Sequence, residues 1–273
     1  MSFRPSATRS GLPPAARRGT GGRGAQDRLE QERGVRRRGL FLAMLGIVLV
    51  VAATNVLLGA LGLLQETRSR PLTEAERAAY VKDDVARRWH ILPAESVFPE
   101  SLGYTALGRS REYAHRVGIA PESSCRGGLD SPVAATLDEY GCRTLLRATY
   151  VDQSASYAIT IGVAVLKDED ARLEAAARLP VDDRVGVRPV SFPRTVTQSF
   201  GAAQRQRSGW IGAGPYIILS TAGYTDGRTR DAVGPEEILH SELWPTAQAI
   251  AGHIARVLSE PPDVPRCTQG NVC

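Results

Sequence analysis

From residue 39 to residue 64 the chain reads GLFLAMLGIVLVVAATNVLLGALGLL, with no charge and with Thr54 and Asn55 as its only clearly polar side chains. At a helical rise of about 1.5 Å per residue this run reaches about 39 Å, more than the ~30 Å of a bilayer's hydrocarbon core. A buried core helix of this length would carry a polar face, and none is present. A cleavable signal peptide has an apolar stretch of about 7–15 residues ending in a small-x-small site. This run is longer, and Gln65, Glu66 and Thr67 follow it without such a site. The pattern predicts an uncleaved signal-anchor helix. The Thr54–Asn55 pair raises helix pairing as an option, because amides can hydrogen-bond between helices. A monomeric anchor that tolerates one Asn is the simpler reading.

Beyond the span the pattern changes to short alternating elements. Thr73 and Glu76 have capping-box spacing and predict a helix to about residue 90, ended by Pro93. Its apolar stripe (Ala75, Ala78, Ala79, Val81, Val85, Trp89) is modest and predicts light packing at a stalk-to-domain junction. A strand is expected near 112–119 and a short helix near 131–140. Residues 143–151 and 157–166 read as two strands of a hairpin with a five-residue loop. In the second, Tyr157, Ile159, Ile161, Val163 and Val165 share one face, while Ala158, Thr160, Gly162 and Ala164 share the other. The small face should let a helix or loop approach closely. A helix over 168–179 begins with Asp168, Glu169 and Asp170 and ends with Arg178, which suits the helix dipole. The acidic triplet is therefore read as a cap, not a calcium site. Further strands are expected at 185–190, 205–211 and 216–224. Apolar residues at 239, 243, 247, 250, 254, 257 and 258 predict a closing helix over 235–260, with a kink or break near Trp244 imposed by Pro245. Strands mixed with helices, without regular βαβ alternation, predict an α+β two-layer ectodomain, mainly antiparallel sheet with flanking helices.

Charge fixes the expected orientation. The net charge is +5, yet residues 1–38 alone carry +7 and the span carries none, which leaves −2 for the rest. The basicity belongs to a short tail, so a nucleic-acid partner is not expected. Arg33, Arg36, Arg37 and Arg38 immediately precede the span, whereas Arg68 and Arg70 beyond it are offset by Glu66. The positive-inside bias places the N-terminus in the cytoplasm of a single-pass plasma-membrane protein and the C-terminal domain outside. The organisation is a disordered Arg/Gly-rich tail (1–38), the membrane anchor (39–64), a juxtamembrane helix or stalk (65–92), the extracytoplasmic domain (93–260) and a Cys-containing tail (261–273). The basic tail is also a candidate for attraction to anionic lipid headgroups. Arg outnumbers Lys 32 to 2, so biased codon composition accounts for it equally well.

Cys125, Cys142, Cys267 and Cys273 all follow the span, an even number on the expected oxidising side. Of three pairings, Cys125–Cys142 with Cys267–Cys273 is favoured; closing the first loop restricts the unfolded chain by about 3 kcal/mol in the chain-entropy picture. No C-x-x-C occurs and no His lies at ligand spacing from a Cys, so zinc is disfavoured. G-x-S-x-G, H-E-x-x-H, S-x-x-K and Walker motifs are missing from the sequence. The glycines at 19–24 follow no strand and so do not read as a phosphate loop. His90, His115, His240 and His253 fall in separate elements; His253 reads as a partly covered structural residue and His240 as a remote candidate base for a serine. No catalytic residue, metal or cofactor is assigned. Trp210, Gly212 and Gly214 form the most unusual local stretch, a candidate ligand contact whose plainer reading is a hairpin turn.

The Arg-rich tail, single anchor and small disulfide-bearing α+β domain resemble uncharacterised single-pass membrane proteins of high-GC Gram-positive bacteria. The plan of residues 71–260 is also similar to extracytoplasmic sensor domains of bacterial receptor kinases and to PsbP-like lipoprotein folds. That resemblance rests on architecture and transfers no functional residue. The leading functional expectation is a non-enzymatic binding or assembly domain, with an extracytoplasmic protein or small ligand as partner and the bilayer contacted through 39–64. The alternatives are a cell-envelope hydrolase with an unrecognised Ser or Asp site, and a scaffold or regulator acting through the basic tail.

Overall fold

A computed structural model of the chain describes residues 23–66, 69–264 and 266–268. Residues up to Arg70 belong to one compact unit and Pro71–Cys267 to a second.

The first unit is built on helix α1, Arg23–Glu66. Within it Arg36–Gln65 is long and apolar enough to cross a membrane. Leu42, Val50 and Leu58 are each more than half exposed, as a lipid-facing helix requires. The helix starts well before the apolar run, so residues 23–38, expected within a disordered tail, are helical. Residues 1–22, with most of the glycine-rich stretch, lie outside the described residues. Thr54 Oγ1 and Asn55 Nδ2 donate to the carbonyls of Val50 and Val51, at 2.5 and 3.0 Å. The helix itself thus takes one hydrogen bond from each polar side chain at mid-span.

In the second unit, α2 (Glu74–Ile91) starts at the Thr73/Glu76 capping box and α3 spans Ala94–Val97. The sheet follows: β1 (Ser101–Thr105), β2 (Arg111–Ser123), β3 (Thr144–Val151), β4 (Tyr157–Val165), β5 (Arg205–Ala213) and β6 (Tyr216–Tyr224). Helices α4 (Cys125–Gly128) and α5 (Ser131–Glu139) interrupt it after β2, and α6 (Glu169–Arg178) after β4. Helices α7 (Pro235–His240) and α8 (Leu243–Ser259) close the unit. The fold is α+β: a curled, wholly antiparallel six-stranded sheet in the order β1-β2-β3-β4-β6-β5, with flanking helices. The hairpin expected at 143–166 is present, with Tyr150 opposite Ile159. Asp152 closes its loop by accepting the backbone N–H groups of Ser154 and Tyr157.

The two faces of the sheet are covered differently. The bulky face of β4 joins Ala148, Tyr150, Tyr216 and Ile218 in the larger core, beneath Leu243, Ala247, Ile250, Ile254 and Leu258 of α8. Leu239, expected to continue that stripe, is exposed because the chain breaks between His240 and Leu243. Pro245 sits in the first turn of α8, where its missing N–H costs nothing; the break falls just before it rather than at it.

The small face is met at close range. A Cβ at Gly162 would fall 2.8 Å from Val187 Cγ2. Residues 185–190 are not the strand expected of them; only Val187 forms a bridge, to Leu129. They cross the sheet face instead of lying along an edge, and threonine hydroxyls take their backbone groups. Thr149 Oγ1 and Thr221 Oγ1 donate to Val190 and Val187 carbonyls, and Val190 N–H donates to Thr160 Oγ1. Leu129, Leu137, Leu145, Ala175 and Leu219 complete this second core.

Candidate functional site

Helix α2 is held by its C-terminal half. Val85 is its one fully buried residue. The Tyr216 hydroxyl donates to the Val85 carbonyl, and Arg88 pairs with Asp84 and donates to Val257 O at 3.1 Å. Burial pushes the Tyr216 phenol up to about 12, so it stays a neutral donor. The N-terminal half, with Ala75, Ala78 and Ala79, is exposed. It stands over a groove of about 1030 Å³ against three other parts of the domain. These are the β4–α6 junction at Lys167, Asp168 and Glu169, the β5–β6 turn at Gly214–Pro215, and the exit of α8 at Ser259 and Pro261.

Each wall has a local cause. Asp168 is a cap, as its spacing predicts, since it accepts the Ala171 N–H at 2.8 Å. Gly214 takes φ +52°, which the two-residue turn between β5 and β6 requires, and a Cβ there would press on Val85 Cγ1 at 2.7 Å. Arg172 Nε ties that turn to α6 through the Gly214 carbonyl at 2.9 Å. The groove floor is apolar, from Ala78, Val81, Val85 and Pro215. Its rim carries both signs: Arg77, Lys82 and Lys167 against Glu74, Asp83 and Glu169. This chemistry suits an apolar segment flanked by polar groups.

The structure separates the residues singled out in sequence. Gly214 lines the groove, while Trp210 and Gly212 lie on β5, an edge strand, with Trp210 39% exposed. Cys125 and Cys142 lie at disulfide distance, with Cα atoms 6.4 Å apart, and tie the start of α4 to the residue leading into β3. The pairing Cys267–Cys273 falls outside the described residues, as do residues 1–22 and the side chain of Arg33; Arg36, Arg37 and Arg38 are exposed on α1. His240 sits beside Glu236 at 3.3 Å on an exposed turn. His253 is half-buried on α8, its pKa lowered by burial and then by Arg256. Among the described residues no three His, Cys, Asp or Glu side chains gather in a metal-binding group. Of the groove residues, only Gly214 was singled out in sequence as a candidate ligand contact. The available signal was the exposed alanine half of α2, a stripe too weak to pack and yet apolar.

Comparison with protein-family models, curated proteins and solved structures finds no match.

Proposed function

We propose that the chain is a membrane-anchored binding protein, with its α+β domain on the extracytoplasmic side and its N-terminus in the cytoplasm. The groove beneath the free half of α2 receives an apolar segment of a partner protein. One observation carries this reading: a large open groove whose floor is apolar and whose rim offers both charge signs. The arginines before the span and the Cys125–Cys142 pair beyond it support the orientation. Catalysis is the weaker reading, because no serine hydroxyl is hydrogen-bonded to a histidine among the described residues, and His240 faces only Glu236.

A photo-crosslinking amino acid at Ala78 of the full chain, expressed in cells, tests the groove. The expected result is a discrete protein adduct that Val81→Arg reduces at least tenfold. No adduct, or one indifferent to Val81→Arg, would overturn the reading.

A further inference from the structure

The open edge of the sheet at β5 has a register and a chemistry of its own. Among the described residues strand β5 pairs only with β6. Ala213 lies opposite Tyr216 across a two-residue turn, so Ala213, Ile211 and Gly209 face β6 with their backbone groups. The even-numbered residues must then point theirs away from the sheet. Ser208 confirms the phase: its N–H donates outward to Asp183 O at 2.7 Å. Beyond that contact, the outward N–H and C=O groups of Trp210 and Gly212 meet no partner among the described residues.

Natural sheet edges are usually protected by charge, proline or a bulge. Ser208–Gly209–Trp210–Ile211–Gly212–Ala213 has no charge and no proline, and the one register shift of this pair lies further back, between Arg205 and Arg207. Trp210 and Gly212 share the sheet face that carries Leu219 and Ile217. Arg172 lies across Gly212, where a Cβ would come within 3.0 Å of its Nη1.

We infer that this edge pairs with the same edge of a second copy, antiparallel about a two-fold axis through Ile211. In that register Trp210 stands opposite Gly212 of the second copy, and Gly212 opposite its Trp210. All four free backbone groups on each edge are then used, in four inter-copy hydrogen bonds. Each indole lies over a strand glycine, a cross-strand pair in which the aromatic covers what glycine leaves bare. It also reaches the Arg172 guanidinium that crosses that glycine, within cation–π range of about 6 Å. No like charges are brought opposite one another, and Ile211 faces its own copy at the axis. The self-complementarity of this register selects a second copy as the occupant: a two-fold contact requires one patch to match itself, and this one does. The inference stands independently of the groove.

The test uses the full chain in nanodiscs, with Cys267→Ser and Cys273→Ser as background. Ile211→Cys places two thiols at the axis, in a non-hydrogen-bonded pair where side chains are closest. Under mild oxidation it should give disulfide-linked dimer at least tenfold faster than Val181→Cys, which is fully exposed elsewhere. Adding Trp210→Lys, which sets a lysine against Arg172 of the second copy, should slow that cross-link at least tenfold while the thermal midpoint stays in place. Equal rates at 211 and 181, a cross-link indifferent to Trp210→Lys, or capture of a different protein at position 211 would each overturn the proposal. A lowered thermal midpoint in Trp210→Lys would move the second comparison to Trp210→Ser, judged by the same tenfold criterion.

Discussion

Single residues decide how closely the layers of this domain approach. Gly162 stands where Val187 crosses the sheet, and Gly252 on α8 has open space around its missing side chain. The two glycines should respond oppositely to substitution. Gly162→Val forces Val187 off the threonine row and should lower stability by about 1–3 kcal/mol. Gly252→Ala relieves the unfolded chain's freedom in a helix and should raise it by about 0.5–1 kcal/mol. Denaturant melts of the two variants against the parent check both signs. The small face of β4 was legible as small from its alternation alone. A close helix or loop followed from the same pattern, but that residues 185–190 would supply it did not, because the deciding hydroxyls, Thr149, Thr160 and Thr221, sit on three different strands. Asp130 tells the same story. It accepts from Gly186 N–H and pairs with the buried guanidinium of Arg205, 75 positions away. No local pattern announces such a partner.

At the scale of elements, periodicity carried α8 and the central hairpin, each of which buries a face that repeats within its own sequence, while a capping box carried α2 and charged ends carried α6. β1 escaped although it pairs with its neighbour β2, because only Leu102 and Tyr104 of its five residues are buried, and the true path of 185–190 escaped because its backbone partners are remote. The groove escaped for a related reason: its walls are ends of elements, and an element's end has no periodicity. Helix α8 also sets a pH response. Burial, then Arg256, lowers the pKa of His253 below its ordinary value of about 6.5. The folded state therefore prefers the neutral ring. The stability this residue contributes is present above the ordinary imidazole pKa and is lost as pH falls below it. His253→Gln should flatten the loss of thermal midpoint between about pH 6.5 and the lowered folded value, and parallel melts across that window report it.

For the whole molecule, the uneven charge of the sequence makes a prediction of its own. The proposed orientation puts the arginines before the span in the cytoplasm and assigns Val181, fully exposed on the second unit, to the extracytoplasmic side. In the Cys267→Ser and Cys273→Ser background, Val181→Cys should react with a membrane-impermeant maleimide on intact cells. Labelling that waits for permeabilisation would reverse the orientation.

The strand order has a temporal side. Strands β1 to β4 are joined by neighbours in sequence and form a meander. β4 gains its second partner, β6, only after the 50 residues from 166 to 215 have been made. Local pairings close early, and pairings across a long excursion close late. For an interval the chain therefore presents Ile159, Ile161 and Val163 on an unpaired edge, the kind of surface that recruits the wrong strand. A strand buried along almost its whole length in the finished domain is its most vulnerable strand during synthesis. Pulsed hydrogen exchange during refolding would show amide protection along β3 before it appears along β6.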